Sequence, residues 1–152
     1  MARATAPVVG VVLLVAMTVL CAGAATAVLS VSPGDPPPTA SFELAVDPTT
    51  DRIAVTHVGG DAVSPAALSV SVTVGGQPLA HQPPVPFFAA TGFHGGPAGP
   101  FNAASTGDWR AGQTGAVRLA STNAPGIEPG DRVRVTLATD RATLARLAAT
   151  AD

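Results

Sequence analysis

Residues Arg3 to Leu20, RATAPVVGVVLLVAMTVL, open a strongly apolar stretch near the N-terminus, and no charged residue follows Arg3 until Asp35. From Val8 to Leu29 the only polar side chains are Thr18 and Thr26. A run of this kind is apolar on every side of a helix, so it has no face to offer water and must be covered by lipid, by protein, or removed. About 20 apolar residues suffice to cross a bilayer as a helix, and the run is long enough. Arg3 on one flank and Asp35 on the other favour an orientation that carries the rest of the chain outward. Three fates follow: a cleaved signal peptide, a permanent anchor, or a helix that packs among copies of itself. Ala25-Thr26-Ala27 supplies an A-x-A pattern for signal peptidase, while Pro7 and the length of the apolar run argue against that cut. Cys21 is preceded by Leu20 where a lipidated cysteine needs a small residue, so it reads as a small membrane-facing hydrophobe.

The stretch RATAPVVGVVLLVAMTV resembles the N-terminal segment of archaeal type IV pilins, especially those of halophilic archaea. That family's pattern is a charged residue, a small residue, a short stretch ending in proline, then Val-Ile-Gly and a Val/Leu/Ile-rich helix. Arg3 and Ala4 match the charged and small positions, Pro7 the proline, and Val8 to Val19 the helix, while Thr5 and Ala6 depart from the commoner Val-Ser. The resemblance implies a leader of residues 1–4, removed by a membrane-embedded prepilin peptidase between Ala4 and Thr5, with Arg3, Ala4 and Thr5 as the processing residues. It further implies a retained transmembrane helix over 5–32 that becomes the core of a filament. Pro7, Gly10, Leu13, Leu14, Val19 and Leu20 are its assembly residues, and Gly10, Ala16, Ala22 and Gly23 offer small faces for close helix approach. The implied partners are the peptidase, the membrane and other pilin subunits, and the implied location is the cell membrane with an extracellular head, then a surface filament.

Residues 33–40 form a Pro-rich linker: Pro33 stops the helix, Gly34 and Asp35 turn, and Pro36-Pro37-Pro38 make a stiff extended spacer. Beyond it, residues 41–152 alternate with period two in segments bounded by turn residues: 41–46, 52–58, 67–74, 115–121 and 131–138. Leu68, Val70, Val72 and Val74 set against Ser69, Ser71 and Thr73 make the clearest half-buried antiparallel strand. The fold class expected is α+β, a single hydrophobic helix followed by an all-β, sandwich-like head. Three head motifs, RIAVTHVGGDAV, DWRAGQT and IEPGDRVRVTL, resemble strand and turn motifs of the same pilin family, with Gln113 where Asp is usual. The C-terminal TDRATLARLAATAD fits a short helix by propensity, and the resemblance implies instead a turn at Asp140-Arg141 and a final strand.

Residues 77–108 are rich in Gly and Pro and read as one long loop. The loop holds Phe87, Phe88, Phe93 and Phe101, four of the five Phe. Either these rings fold back over a core otherwise made of small aliphatic residues, or they form an exposed adhesive or subunit-contact loop. His57, on a strand edge, and His81 and His94 show no metal-ligand spacing. His57, Asp61 and Ser64 share one local turn and do not make a triad, with Asp61 read as a turn former. A net charge of −2, a charged fraction of 12% and eight scattered Arg with no Lys leave no dense cationic field for nucleic acid. No cofactor and no enzymatic activity are expected. The function expected is a structural filament subunit, the alternative an anchored or secreted β-sandwich binding module.

Overall fold

A computed structural model describes residues 6–29 and 34–152, with side chains described for 7–22 and 34–152. The processing residues Arg3, Ala4 and Thr5 and the Pro33 helix stop lie outside the described residues. The chain divides into two compact units, residues 1–36 and 37–152.

The first unit holds one helix, α1 (Ala6–Leu29). Pro7 stands in its first turn, where a missing N–H removes no intrahelical bond. Among the described residues no helix is long and apolar enough to cross a membrane, so the expected transmembrane span is not found there.

The second unit is built of seven antiparallel strands in two sheets. They are β1 (Ala40–Asp47), β2 (Arg52–Gly60), β3 (Ser69–Val74), β4 (Gln77–Pro78), β5 (Thr114–Arg118), β6 (Arg132–Ala138) and β7 (Thr143–Thr150). One sheet runs β1-β2-β5, the other β4-β3-β6-β7, and β1 lies beside β7 where the two sheets meet. The alternation of β3 is realised as expected: Leu68, Val70, Val72 and Val74 are buried, and Ser69 and Ser71 are exposed. Register then sets apolar against apolar, Val70 on Leu137, Val72 on Val135 and Val74 on Val133. In the other sheet Ile53 faces Val46 and Val117, and Leu44 faces Val55. A one-residue slip would turn each of these pairs to solvent. The C-terminal segment is a strand, paired with β6 through a turn at residues 139–142.

Three turns close the strands with specific chemistry. At the end of β2, Gly60 has φ +97°, and a Cβ there would stand 2.3 Å from the Thr39 carbonyl oxygen. The next residue, Asp61, clamps that same strand end: its N–H donates to the Thr39 carbonyl at 2.8 Å and its Oδ2 accepts from the Thr39 N–H at 2.9 Å. Before β6, Asp131 Oδ2 accepts from the Glu128 N–H at 2.9 Å, and Ala151, 1% exposed, is tied to the same turn from both sides. Before β5, Gln113 Oε1 accepts from the Arg110 N–H at 2.8 Å, performing with a longer side chain the capping that a short Asp supplies in such turns.

The segment 77–108 is not a free loop. Ala98 bridges Ala116 along the outer edge of β5, Phe93 bridges Leu119, and Phe87 bridges Asn102. Asn123, buried, stitches the segment down: its Oδ1 accepts from the N–H groups of His81 and Ala124, each at 3.0 Å, and its Nδ2 donates to the His81 carbonyl at 2.9 Å. Replacing Asn123 by Leu removes three bonds and strands the backbone groups of His81 and Ala124. The expected cost is ~2 kcal/mol, read as a lower denaturant midpoint at unchanged slope.

Candidate functional site

Pro7, Gly10, Leu13, Leu14, Val19 and Leu20 all fall within α1. Leu13, Leu14, Val19 and Leu20 are between 65% and 72% exposed, and among the described residues every exposed large apolar side chain belongs to α1 except Val58 and Phe88. Fully burying a Val, Leu or Met side chain is worth ~1.5–3 kcal/mol, so ten such residues between Val8 and Leu20, each 55–72% exposed, amount to ~10–20 kcal/mol of unrealised burial. No helix of this composition is stable bare in water.

Gly10, Leu13, Leu14, Met17, Thr18 and Cys21 recur at three- and four-residue spacing and line one shallow groove along the helix. Gly10 sets its floor, with nothing within 4 Å of a Cβ built there. The groove has one hydroxyl, and it is already satisfied: Thr18 Oγ1 donates to the Leu14 carbonyl one turn back. The face therefore presents no polar group in need of water. Cys21 is a free, exposed thiol on the same face.

Of the Phe in the segment 77–108, Phe87, Phe93 and Phe101 are core residues, and Phe88 alone is exposed, at 61%. The contact-loop expectation is corrected for those three: the aliphatic core is too thin to close without them. Phe101 inserts over Gly115, where any Cβ would meet the ring at 2.8 Å, and its ring stands 5.2 Å from that of Trp109. Phe87 and Phe93 pack on each other at 5.8 Å.

His57 is likewise not an edge residue. It lies in β2, the central strand of its sheet, and is 0% exposed. Its Nε2 is 2.8 Å from the Asp61 carbonyl oxygen, so it carries the ring proton and donates, and Phe42 packs on the imidazole at 4.9 Å. Its Nδ1 has no partner. Asp61 thus meets His57 through its backbone, and its carboxylate serves Thr39, so His57 and Asp61 act in a clamp on the strand end and not in a triad. Ser64 precedes a short 3-10 turn, Pro65–Ala67, without a side-chain bond to it. Among the described residues no group of three or more His, Cys, Asp or Glu is placed to hold a metal ion.

One grouping escaped the sequence. Arg52 and Arg118, 66 positions apart in a chain whose Arg look scattered, are direct cross-strand neighbours on β2 and β5. With His94, Gly95, Gly96 and Ala116 they line a cleft of about 130 Å³. No local signal marks this pair, because only the β2–β5 register brings the two side chains to one face. No family model matches the chain, and no curated protein matches it.

Proposed function

We propose that this protein is a pilin-like structural subunit of a cell-surface filament, with α1 as the assembly element and the β head displayed outside the cell. The observation that carries the reading is the concentration of exposed apolar side chains on every side of α1, with its one groove hydroxyl satisfied internally. Such a helix is stable in two settings, among lipid tails or among other helices, and copies of itself are the partner every cell making it can supply. Membrane residence before assembly rests on the helical backbone continuing to Leu29 and on the apolar sequence of residues 23–29. The likeness of residues 3–19 to archaeal pilin N-termini supports a leader cut on the cytoplasmic side, which keeps the helix on the mature protein. A cut after Ala27 would discard it.

The test is the mass of the mature N-terminus, measured on protein sheared from the cell surface. A start at Thr5 is expected. A start at Val28 makes the protein a secreted β-sandwich module, an uncut chain makes it a plain anchor, and either result removes the filament reading.

A further inference from the structure

We propose that the cleft between β2, β5 and the segment 94–98 is a binding site for a tetrahedral oxyanion, a phosphate or sulfate group. Arg52 and Arg118 stand directly opposite each other across an antiparallel pair, with side chains on the same face. Like charges so placed destabilise a sheet unless an anion shares them. Among the described residues no anionic group does so. Among the described residues the Arg52 side chain has no hydrogen bond or ion pair, and the Arg118 side chain spends only its Nε, on the Thr50 carbonyl at 3.2 Å, which fixes its stem and leaves the terminal N–H groups unused. Asp47 is the cross-strand neighbour of Arg52 on the other side. It forms no ion pair with Arg52: its oxygens accept from the Thr50 hydroxyl and the Thr49 N–H, each at 2.8 Å, and these bonds hold its carboxyl below the usual range. Asp51 belongs to a different cleft, with Glu128 and Asp131.

No carboxylate lines the cleft itself, and its remaining wall is His94, Gly95 and Gly96. Three backbone N–H groups of that wall are committed: His94 to the Arg118 carbonyl, Gly96 to Phe88 and Ala98 to Ala116. Those bonds hold the wall rigid against β5. The Gly95 N–H makes no backbone hydrogen bond among the described residues. Two guanidinium groups, which only donate, beside an imidazole that can present an N–H make a donor-rich set, the chemistry that recognises an anion with several equivalent oxygens. The volume, about 130 Å³, has room for one phosphate or sulfate group. The group can arrive as a free ion or as an ester on a surface polysaccharide.

The experiment is calorimetric titration of the full chain in a non-ionic detergent, at ionic strength held constant with chloride. The probes are inorganic phosphate, inorganic sulfate, and a sulfated disaccharide beside its neutral parent. Saturable one-site binding is expected, weakened at least tenfold by Arg52→Gln and by Arg118→Gln and unaffected by Arg134→Gln on the other sheet. Tighter binding of the sulfated sugar than of free sulfate identifies a polysaccharide ester as the source, and the reverse order identifies the free ion. Absence of saturation by every probe, binding equal in the Gln variants, or equal binding of the neutral sugar overturns the proposal. Arg side-chain NMR of the unmodified protein tests the same two residues without relying on the variants' folding. Phosphate should shift the Nε–H signals of Arg52 and Arg118 and not that of Arg134, and unmoved signals overturn the proposal as well.

Discussion

Leu14→Arg is expected to remove this protein from sheared surface filaments while leaving the unfolding midpoint of the head unchanged. Leu14 lies in the groove of α1 and is 71% exposed, and on the proposed filament reading it packs against neighbouring subunits. An Arg at the centre of a membrane helix costs ~2.5–3.5 kcal/mol on insertion scales, and an unpaired charge in a dry helix bundle costs several kcal/mol. At ~1.4 kcal/mol per factor of ten, one contact loses about a hundredfold, and a polymer repeats that contact at every subunit. Leu14→Ala, which shortens the side chain without adding charge, should lower filament yield only partly. Quantitative immunoblotting of sheared and cell-bound fractions reads both variants. Full recovery of Leu14→Arg in filaments would show that α1 is not buried in them.

Trp109→Ala is expected to destabilise the head by ~3–5 kcal/mol, a large share of the ~5–15 kcal/mol available to a domain. Trp109 is 0% exposed and sits at the junction of Phe42, at 4.9 Å, and Phe101, at 5.2 Å. Through Phe101 it holds the 77–108 segment on the sheet. Its Nε1 donates to the Gln113 carbonyl at 2.9 Å, and that carbonyl also accepts the His57 N–H at 3.0 Å. Trp109→Phe therefore loses ring area without orphaning the acceptor and should cost far less, about 1–2 kcal/mol. Far-UV circular dichroism in denaturant orders the two variants, and limited proteolysis within residues 86–108 should accelerate for Trp109→Ala alone. Equal midpoints for Trp109→Ala and the parent chain would mean that the aromatic cluster does not hold the head together.

The strands were legible because half-buried sheets write their burial into the residue order. Leu68 to Val74 alternates in sequence as it does in space, and the same holds for Arg132 to Ala138. Boundaries moved where local chemistry intervened. Pro65–Ala67 winds a 3-10 turn and delays β3 to Ser69, and β5 ends at Arg118 because Leu119 leaves to bridge Phe93. Position within a sheet was not legible. His57 reads as an edge residue in sequence, yet β2 is central because β5, more than fifty residues later, pairs with its far side.

By itself the sequence determined the division into a charge-free helix and a β head, the faces of the principal strands, and the turns at Gly60-Asp61 and Pro129-Gly130-Asp131. Each is a local property, since periodicity, proline and glycine act over a few residues. Only the tertiary structure decided that Phe87, Phe93 and Phe101 close the core while Phe88 does not, that His57 is enclosed, and that Arg52 and Arg118 share one cleft. Those outcomes depend on which distant segments pair. Pairing is set by the sum of many weak burial terms across the whole head, and no single stretch of sequence carries that sum.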